Sequence, residues 1–250
     1  MNSYISWIGG KKLLRRAILE QFPMDYKRYV EVFGGAGWIL FAEERKGKEE
    51  IYNDANSQLI NLHRCVKYHP KALQEELEFF FNSREVFFDM KEQLNVRGMT
   101  DIQKAARFFL LIKESYGSKL STFGMKKRDM EKAVSYISEV SKRLNQVLIE
   151  NMDFEKLIKT YDQKNTFFYL DPPYFGTEKY YTEKFKKEDH IRLKEALNII
   201  EGKFLLSYND CEEIRELYKK YTIIEVERHS NLTAKMESGV RYKELLIKNY

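Results

Sequence analysis

The sequence predicts an open, doubly wound α/β sheet carrying a mainly helical insertion. Three observations lead there. Short aromatic or β-branched runs alternate with segments whose apolar residues recur at helical spacing, the pattern of a mostly parallel sheet covered by helices. The alternation lapses between about Leu62 and Asn145, where helical character continues without clear strands. Finally, the apolar run Thr166-Phe167-Phe168-Tyr169-Leu170 ends in Asp171-Pro172-Pro173-Tyr174. Consecutive prolines continue neither a helix nor a central strand. A buried strand therefore stops there, and in open α/β sheets that carboxyl end is the ligand-binding edge.

The elements follow in order. Trp7-Ile8-Gly9-Gly10-Lys11 leads into an expected helix over residues 11–21. A lysine at a helix start opposes the dipole, so Lys11 points to a bound anion, unless it is a surface lysine beside a core Trp7. Tyr29-Val30-Glu31-Val32-Phe33 reads as a strand, Gly34-Gly35-Ala36-Gly37 as a tight turn, and residues 36–45 as the next helix. Glycines let the backbone approach a ligand, although the spacing is not that of the dinucleotide fingerprint and a plain strand-to-helix turn would look the same. Ile51-Tyr52-Asn53 is a second strand ending in Asp54. That acid is placed either to accept hydrogen bonds from ribose hydroxyls or to cap the following helix.

After the insertion, strands are expected at 147–150, 166–170, 203–208, 222–228 and 243–248, with helices at 188–201 and 210–220. Asp153-Phe154 closes the first of these strands, either as an acid and an aromatic beside a purine or as the start of the next helix. At Asp171-Pro172-Pro173-Tyr174, a carboxylate, a rigid turn with carbonyl acceptors and an aromatic face suit a planar ring bearing an amine. A proline-terminated strand with Tyr174 packed on the surface is the plainer alternative.

Composition narrows the function classes. The 250 residues are 43% hydrophobic and 32% charged, enough for a large core under a polar surface. No run of about 18 apolar residues suggests a membrane span, and Met1-Asn2-Ser3-Tyr4 lacks the layout of a signal peptide. Cys65 and Cys211, the only cysteines, belong to no metal-type cluster. A cytoplasmic protein without a metal is the expectation. The net charge of +5 permits nucleic-acid binding without requiring it. Lys119, Lys126, Lys127 and Arg128, interleaved with hydroxyl residues, form a stretch suited to phosphates, and Lys184, Lys186 and Lys187 form a second cluster.

Taken together, Trp7-Ile8-Gly9-Gly10-Lys11, Phe33-Gly34-Gly35-Ala36-Gly37, Asn53-Asp54-Ala55-Asn56, Asp171-Pro172-Pro173-Tyr174 and the closing Glu244-Leu245-Leu246-Ile247-Lys248-Asn249-Tyr250, in that order, resemble the alpha group of DNA adenine methyltransferases, the Dam-like and phage-type enzymes. The resemblance covers about two-thirds of the chain. It implies a Rossmann-like methyltransferase sheet with catalytic parts at 1–60 and 148–250 and an inserted target-recognition domain at 61–147. It implies methyl transfer from S-adenosylmethionine to N6 of an adenine flipped out of double-stranded DNA. Trp7 and Lys11 would contact the cofactor, with Phe33, Gly35 and Gly37 under its methionine part. Asp54 would take its ribose, Asp153 and Phe154 would flank its adenine, and Asp171 would complete that set. Asp171 and the Pro172 carbonyl would orient the target amine, and Tyr174 would stack on the flipped ring.

Direct displacement needs neither a cysteine nucleophile nor a metal. Aspartate at position 171 favours adenine over cytosine. The central Ser115-Tyr116-Gly117-Ser118-Lys119-Leu120 and Phe123-Gly124 are closer to short phage-type relatives than to Dam, and Lys119, Lys126 and Arg128 are the DNA-binding candidates there. A monomer, working alone or beside a cognate restriction endonuclease, completes the expectation. Two other readings stand beside it. One is an RNA or protein methyltransferase, whose tetrapeptide usually begins with asparagine. The other is a non-catalytic nucleic-acid-binding relative.

Overall fold

Every strand expected from the sequence forms, because each run is short, apolar and bounded by turn residues. The computed structural model describes residues 1–45, 47–80, 82–118, 120–124, 129–177, 185–229 and 241–250. Its strands are β1 (Arg28–Glu31), β2 (Glu49–Asn53), β3 (Val147–Glu150), β4 (Thr166–Leu170), β5 (Lys203–Asn209), β6 (Thr222–His229) and β7 (Arg241–Lys248). Its α-helices are α1 (Arg15–Leu19), α2 (Ser57–Tyr68), α3 (Pro70–Glu78), α4 (Arg84–Gln93), α5 (Asp101–Glu114), α6 (Met130–Ser135), α7 (Ile137–Leu144), α8 (Phe154–Tyr161), α9 (Lys187–Asn198) and α10 (Glu212–Leu217). The chain divides into two compact units. A helical unit comprises residues 1–10, 35–44 and 54–151, and a sheet unit comprises 11–34, 45–53 and 152–250.

In the sheet unit the strand order is β2-β1-β4-β5-β7-β6. β2, β1, β4 and β5 are parallel, whereas β7 runs antiparallel between β5 and β6. Central parallel strands are covered on both faces, which is why β4 is apolar throughout and wholly buried. The register sets Val30 beside Phe168 and Phe168 beside Phe204. These residues pack with Phe154, Leu157, Leu193 and Leu197 from α8 and α9. The intervening residues face the other way, where Phe22 meets Phe167 edge-on at 4.6 Å between ring centres. From β1 the chain proceeds to β2 on one side, and from β4 it proceeds to β5 on the other. The gap between the carboxyl ends of β1 and β4 is thus the topological switch point, the place where such sheets bind ligands.

In the helical unit, α5 carries most of the core. Thr100 caps its first turn in a capping box with Gln103, and Ala105, Phe108, Phe109, Leu111 and Ile112 are buried along it. Tyr4 stacks on Phe109 with ring centres 6.2 Å apart, and its hydroxyl is 3.0 Å from Nδ1 of the buried His63. The other ring nitrogen, Nε2, is 3.5 Å from the Gly35 carbonyl. A carbonyl only accepts, so Nε2 carries the proton and Nδ1 accepts from Tyr4, which describes a neutral imidazole.

Two helix expectations are corrected. Residues 11–21 yield only α1. Residues 36–45 form turns instead of a helix, with a bond from Phe41 N–H to the Gly37 carbonyl (2.9 Å) the trace of one helical turn. Gly35 and Gly37 have φ of 51° and 67°. These are left-handed conformations that a right-handed helix cannot include.

His63 makes the stability of the protein pH-dependent. Burial lowers its pKa from 6.5 to about 4, so between those values the unfolded chain binds a proton that the folded chain refuses. The stability is complete above pH 6.5 and falls as the pH drops towards 4, by at most on the order of 3 kcal/mol. Denaturant melts from pH 7 to 4.5 are expected to show this loss, and His63→Gln to remove that part of the slope. An unchanged slope in the variant would exclude His63 as its source.

Candidate active site

The switch point of the sheet unit presents Phe33 and Gly34 after β1, and Asp171 after β4. The prolines end β4 as the sequence requires, and both are buried. Beyond them the chain turns back, with Thr177 donating its N–H (2.9 Å) and its hydroxyl (2.8 Å) to the Tyr174 carbonyl. Asn209, at the end of β5, donates its side-chain amide to the Phe175 carbonyl at 3.2 Å. The tetrapeptide is thus anchored through β4 at its start and by these bonds at its close.

Asp171 faces Lys11, whose Nζ lies 2.7 Å from Oδ1; the two side chains are 16% and 6% exposed. The same ammonium lies 3.8 Å from Oε2 of Glu244, which is 3% exposed, and 4.6 Å from the centre of the Tyr174 ring. Tyr174 donates its hydroxyl to Glu244, and Ser207 Oγ is 3.5 Å from that hydroxyl. Burial, with the Asp171 and Glu244 charges next, holds the Tyr174 phenol well above its ordinary pKa, so the ring stays neutral. Lys11, Asp171 and Glu244 thus form one buried charged group beside the Tyr174 ring.

The dipole argument for Lys11 does not apply, because α1 begins only at Arg15. The anion that Lys11 meets belongs to the chain. Glu244 and Ser207 were not among the site residues expected from the sequence.

Phe33, Phe154 and Phe185 form an aromatic cluster with ring centres 5.6–5.9 Å apart. Asp153 caps α8 through the Glu155 N–H at 3.0 Å and pairs with Arg192 at 2.9 Å, whose guanidinium also lies 4.7 Å from the Phe154 ring centre. Asn53 ties this edge together. It donates to the carbonyls of Val32 (2.9 Å) and Met152 (3.1 Å) and accepts from the Met152 N–H (2.8 Å).

The helical unit holds Trp7, Gly35, Gly37 and Asp54. Asp54 accepts from the N–H groups of Gly35 and Asn56, both at 2.8 Å. The cap of α2 is Asn56, which accepts from Leu59 N–H, so Asp54 braces the glycine turn instead of capping the helix. Trp7 lies against that turn, and a Cβ on Gly35 would come within 3.1 Å of its ring. Lys119, Lys126 and Arg128, like Lys127 and Lys184, lie outside the described residues. Among the described residues no group of His, Cys, Asp and Glu is arranged to hold a metal ion, and no helix is long and apolar enough to cross a membrane.

The profile of the family described as D12 class N6 adenine-specific DNA methyltransferase matches residues 7–232. The chain belongs to this family. It is a site-specific DNA adenine methyltransferase that acts on double-stranded DNA, with S-adenosylmethionine as its methyl donor. It is similar over its whole length to the Type II methyltransferase M1.LlaDCHI of Lactococcus lactis subsp. cremoris, at 28% identity over 96% of that protein. At 24% identity it is similar to the Type II methyltransferase M.CviBI of Paramecium bursaria Chlorella virus NC1A, with all of both chains covered. The DNA adenine methylase of Haemophilus influenzae is likewise 24% identical, over 97% of this chain and 92% of its own.

Each unit by itself carries groups of the kind such a methyltransferase's cofactor needs: the sheet unit an aromatic cluster able to stack on a purine, the helical unit a carboxylate fixed beside a left-handed glycine.

Gly34 offers a test of the packing at the switch point. A Cβ there would lie 2.1 Å from a carbon of the buried Tyr52 ring. Gly34→Ala is expected to cost about 1–3 kcal/mol by urea unfolding. A neutral result would mean that the β1 turn yields.

Proposed function

We propose that Asp171, Pro172 and Tyr174 carry the methyl transfer and that Trp7, Lys11, Phe33, Gly35, Gly37, Asp54, Asp153 and Phe154, together with Asp171, bind the cofactor. The single observation that supports this best is the Asp171 carboxylate, held at the carboxyl end of β4 at the switch point beside the Tyr174 ring. Asp54 takes the ribose hydroxyls, while Phe33 and Phe154 cover the purine with Asp153 at its edge. Trp7 and the glycines shape the floor under the methionine part. S-adenosylmethionine supplies an electrophilic methyl group.

The chain's own task is to aim a weak nucleophile. The exocyclic nitrogen of adenine shares its lone pair with the ring and is flat. Accepting both of its N–H bonds at Asp171 and the Pro172 carbonyl draws electron density to the nitrogen and directs the lone pair out of the ring plane. Tyr174 holds the extruded ring by its face, which replaces the stacking lost from the duplex. As N6 takes the methyl group, the carbon–sulfur bond would break to leave a neutral thioether, and the positive charge passing to N6 next to Asp171 would be stabilised by that carboxylate until the N6 proton is lost.

Residues 61–147 are assigned to target recognition, with Lys119, Lys126 and Arg128 on DNA. The relatives named Type II methyltransferases support a role beside a cognate restriction endonuclease. A cytoplasmic monomer fits this task.

Two experiments test these assignments. Purified protein and its Asp171→Ala variant, given methyl-labelled S-adenosylmethionine and unmethylated phage DNA, are expected to differ at least about 100-fold in N6-methyladenine formed. Near-normal transfer by the variant would remove Asp171 from the chemistry. Lys126→Ala and Arg128→Ala are each expected to weaken DNA binding and flatten the log–log salt slope by about 0.9. An unchanged slope would take these residues off the phosphates.

A further inference from the structure

Glu244 has no packing reason to be a carboxylate. It sits on β7, paired with Asn209 of β5 on one side and Val226 of β6 on the other, and the three residues after it, Leu245, Leu246 and Ile247, are fully buried. A carboxylate in such a strand costs free energy unless it is paired, and an apolar residue of similar size would often serve stability equally well. Its partners explain its presence. It takes the hydroxyl of Tyr174, and the Lys11 ammonium lies 3.8 Å away.

The Lys11–Asp171 contact creates a conflict that Glu244 is placed to relieve. At 2.7 Å, Lys11 occupies an oxygen of the carboxylate that must accept the target amine. When that amine arrives, the two donors compete for one carboxylate, and shifting a buried ammonium is costly unless a second acceptor stands close by. A shift of about 1 Å would bring it from 3.8 Å to hydrogen-bonding distance of Glu244.

We propose that Glu244 is a positioning residue for methyl transfer. It fixes the plane of the Tyr174 ring through the phenol hydroxyl, and it receives Lys11 as Asp171 turns to the adenine amine. This inference rests on the assignment of Asp171 and Tyr174 to the reaction. It concerns the chemical step more than the binding of either substrate, so its signature is a fall in kcat with the cofactor Kd retained.

The test compares Glu244→Gln, Tyr174→Phe and the double variant with wild type and with Asp171→Ala. Measured are kcat and KM on unmethylated phage DNA, cofactor Kd by calorimetry and Tm. Glu244→Gln is expected to lower kcat about tenfold or more with cofactor Kd within about threefold of wild type. Tyr174→Phe keeps the ring and loses only the hydroxyl, and it is expected to lower kcat as well. If the two residues act as one unit, the double variant falls no further than about twofold below the worse single variant. Wild-type kcat in Glu244→Gln, or losses that multiply in the double variant, would overturn the proposal. Should Glu244→Gln fail to fold, Tyr174→Phe decides alone, and wild-type kcat there overturns it equally. Full activity in Asp171→Ala would instead overturn the assignment on which the proposal rests.

Discussion

The parallel pairing of β1 with β4 is the constraint on which the rest of the molecule depends. It joins segments far apart in the chain, Val30 beside Phe168, and it creates the point at which the order of strands reverses. Everything chemical follows from the two loops that leave this point. After β1 the backbone needs glycine, because a Cβ on Gly34 would strike the Tyr52 ring and Gly35 holds a left-handed φ. After β4 the prolines cut the hydrogen-bond ladder and expose a carboxylate in a place that is otherwise apolar.

That carboxylate is not left alone. Lys11 stands against it, and Glu244 stands against Lys11 and Tyr174. Each group limits the cost of burying the next, so none of them can be understood singly. Under the proposed role of Glu244, the ammonium would pass between two carboxylates without the site opening to water. The neutral, hydrogen-bonded Tyr174 ring remains available for contact with a planar base.

What was legible in the sequence was whatever depends on neighbours along the chain. The strands could be read because Thr166–Leu170 and its counterparts are short apolar runs with clear ends, and the family because its short motifs keep their order. The helix wrongly expected at 36–45 shows the limit of this. Its apolar residues have helical spacing, yet Gly35 and Gly37 adopt left-handed conformations that the spacing does not record. Asp54 was read as either a ribose-binding acid or a helix cap, and its bond to the Gly35 N–H was not legible. Lys11 was expected to meet a bound carboxylate or phosphate, whereas the anion beside it is Asp171 of the same chain. Glu244 was illegible for a different reason: it follows Arg241 and Lys243 in the strand, and charges so grouped read as solvent-facing. Only the pairing of β7 between two other strands turns it inward.

That placement of β7 also governs how the sheet can be assembled. β6 is made before β7 but touches the rest of the sheet only through it. Until residues 241–248 arrive, β5 is an open edge lined by Phe204, Leu205 and Leu206, and exposed edges of this kind recruit foreign strands. The two late strands must then pair and dock together, a non-local and therefore slow event. The newly made protein passes through a stage in which its sheet is sticky and its buried glutamate is not yet in place. Aggregation during synthesis, more than unfolding of the finished protein, is the hazard built into this strand order.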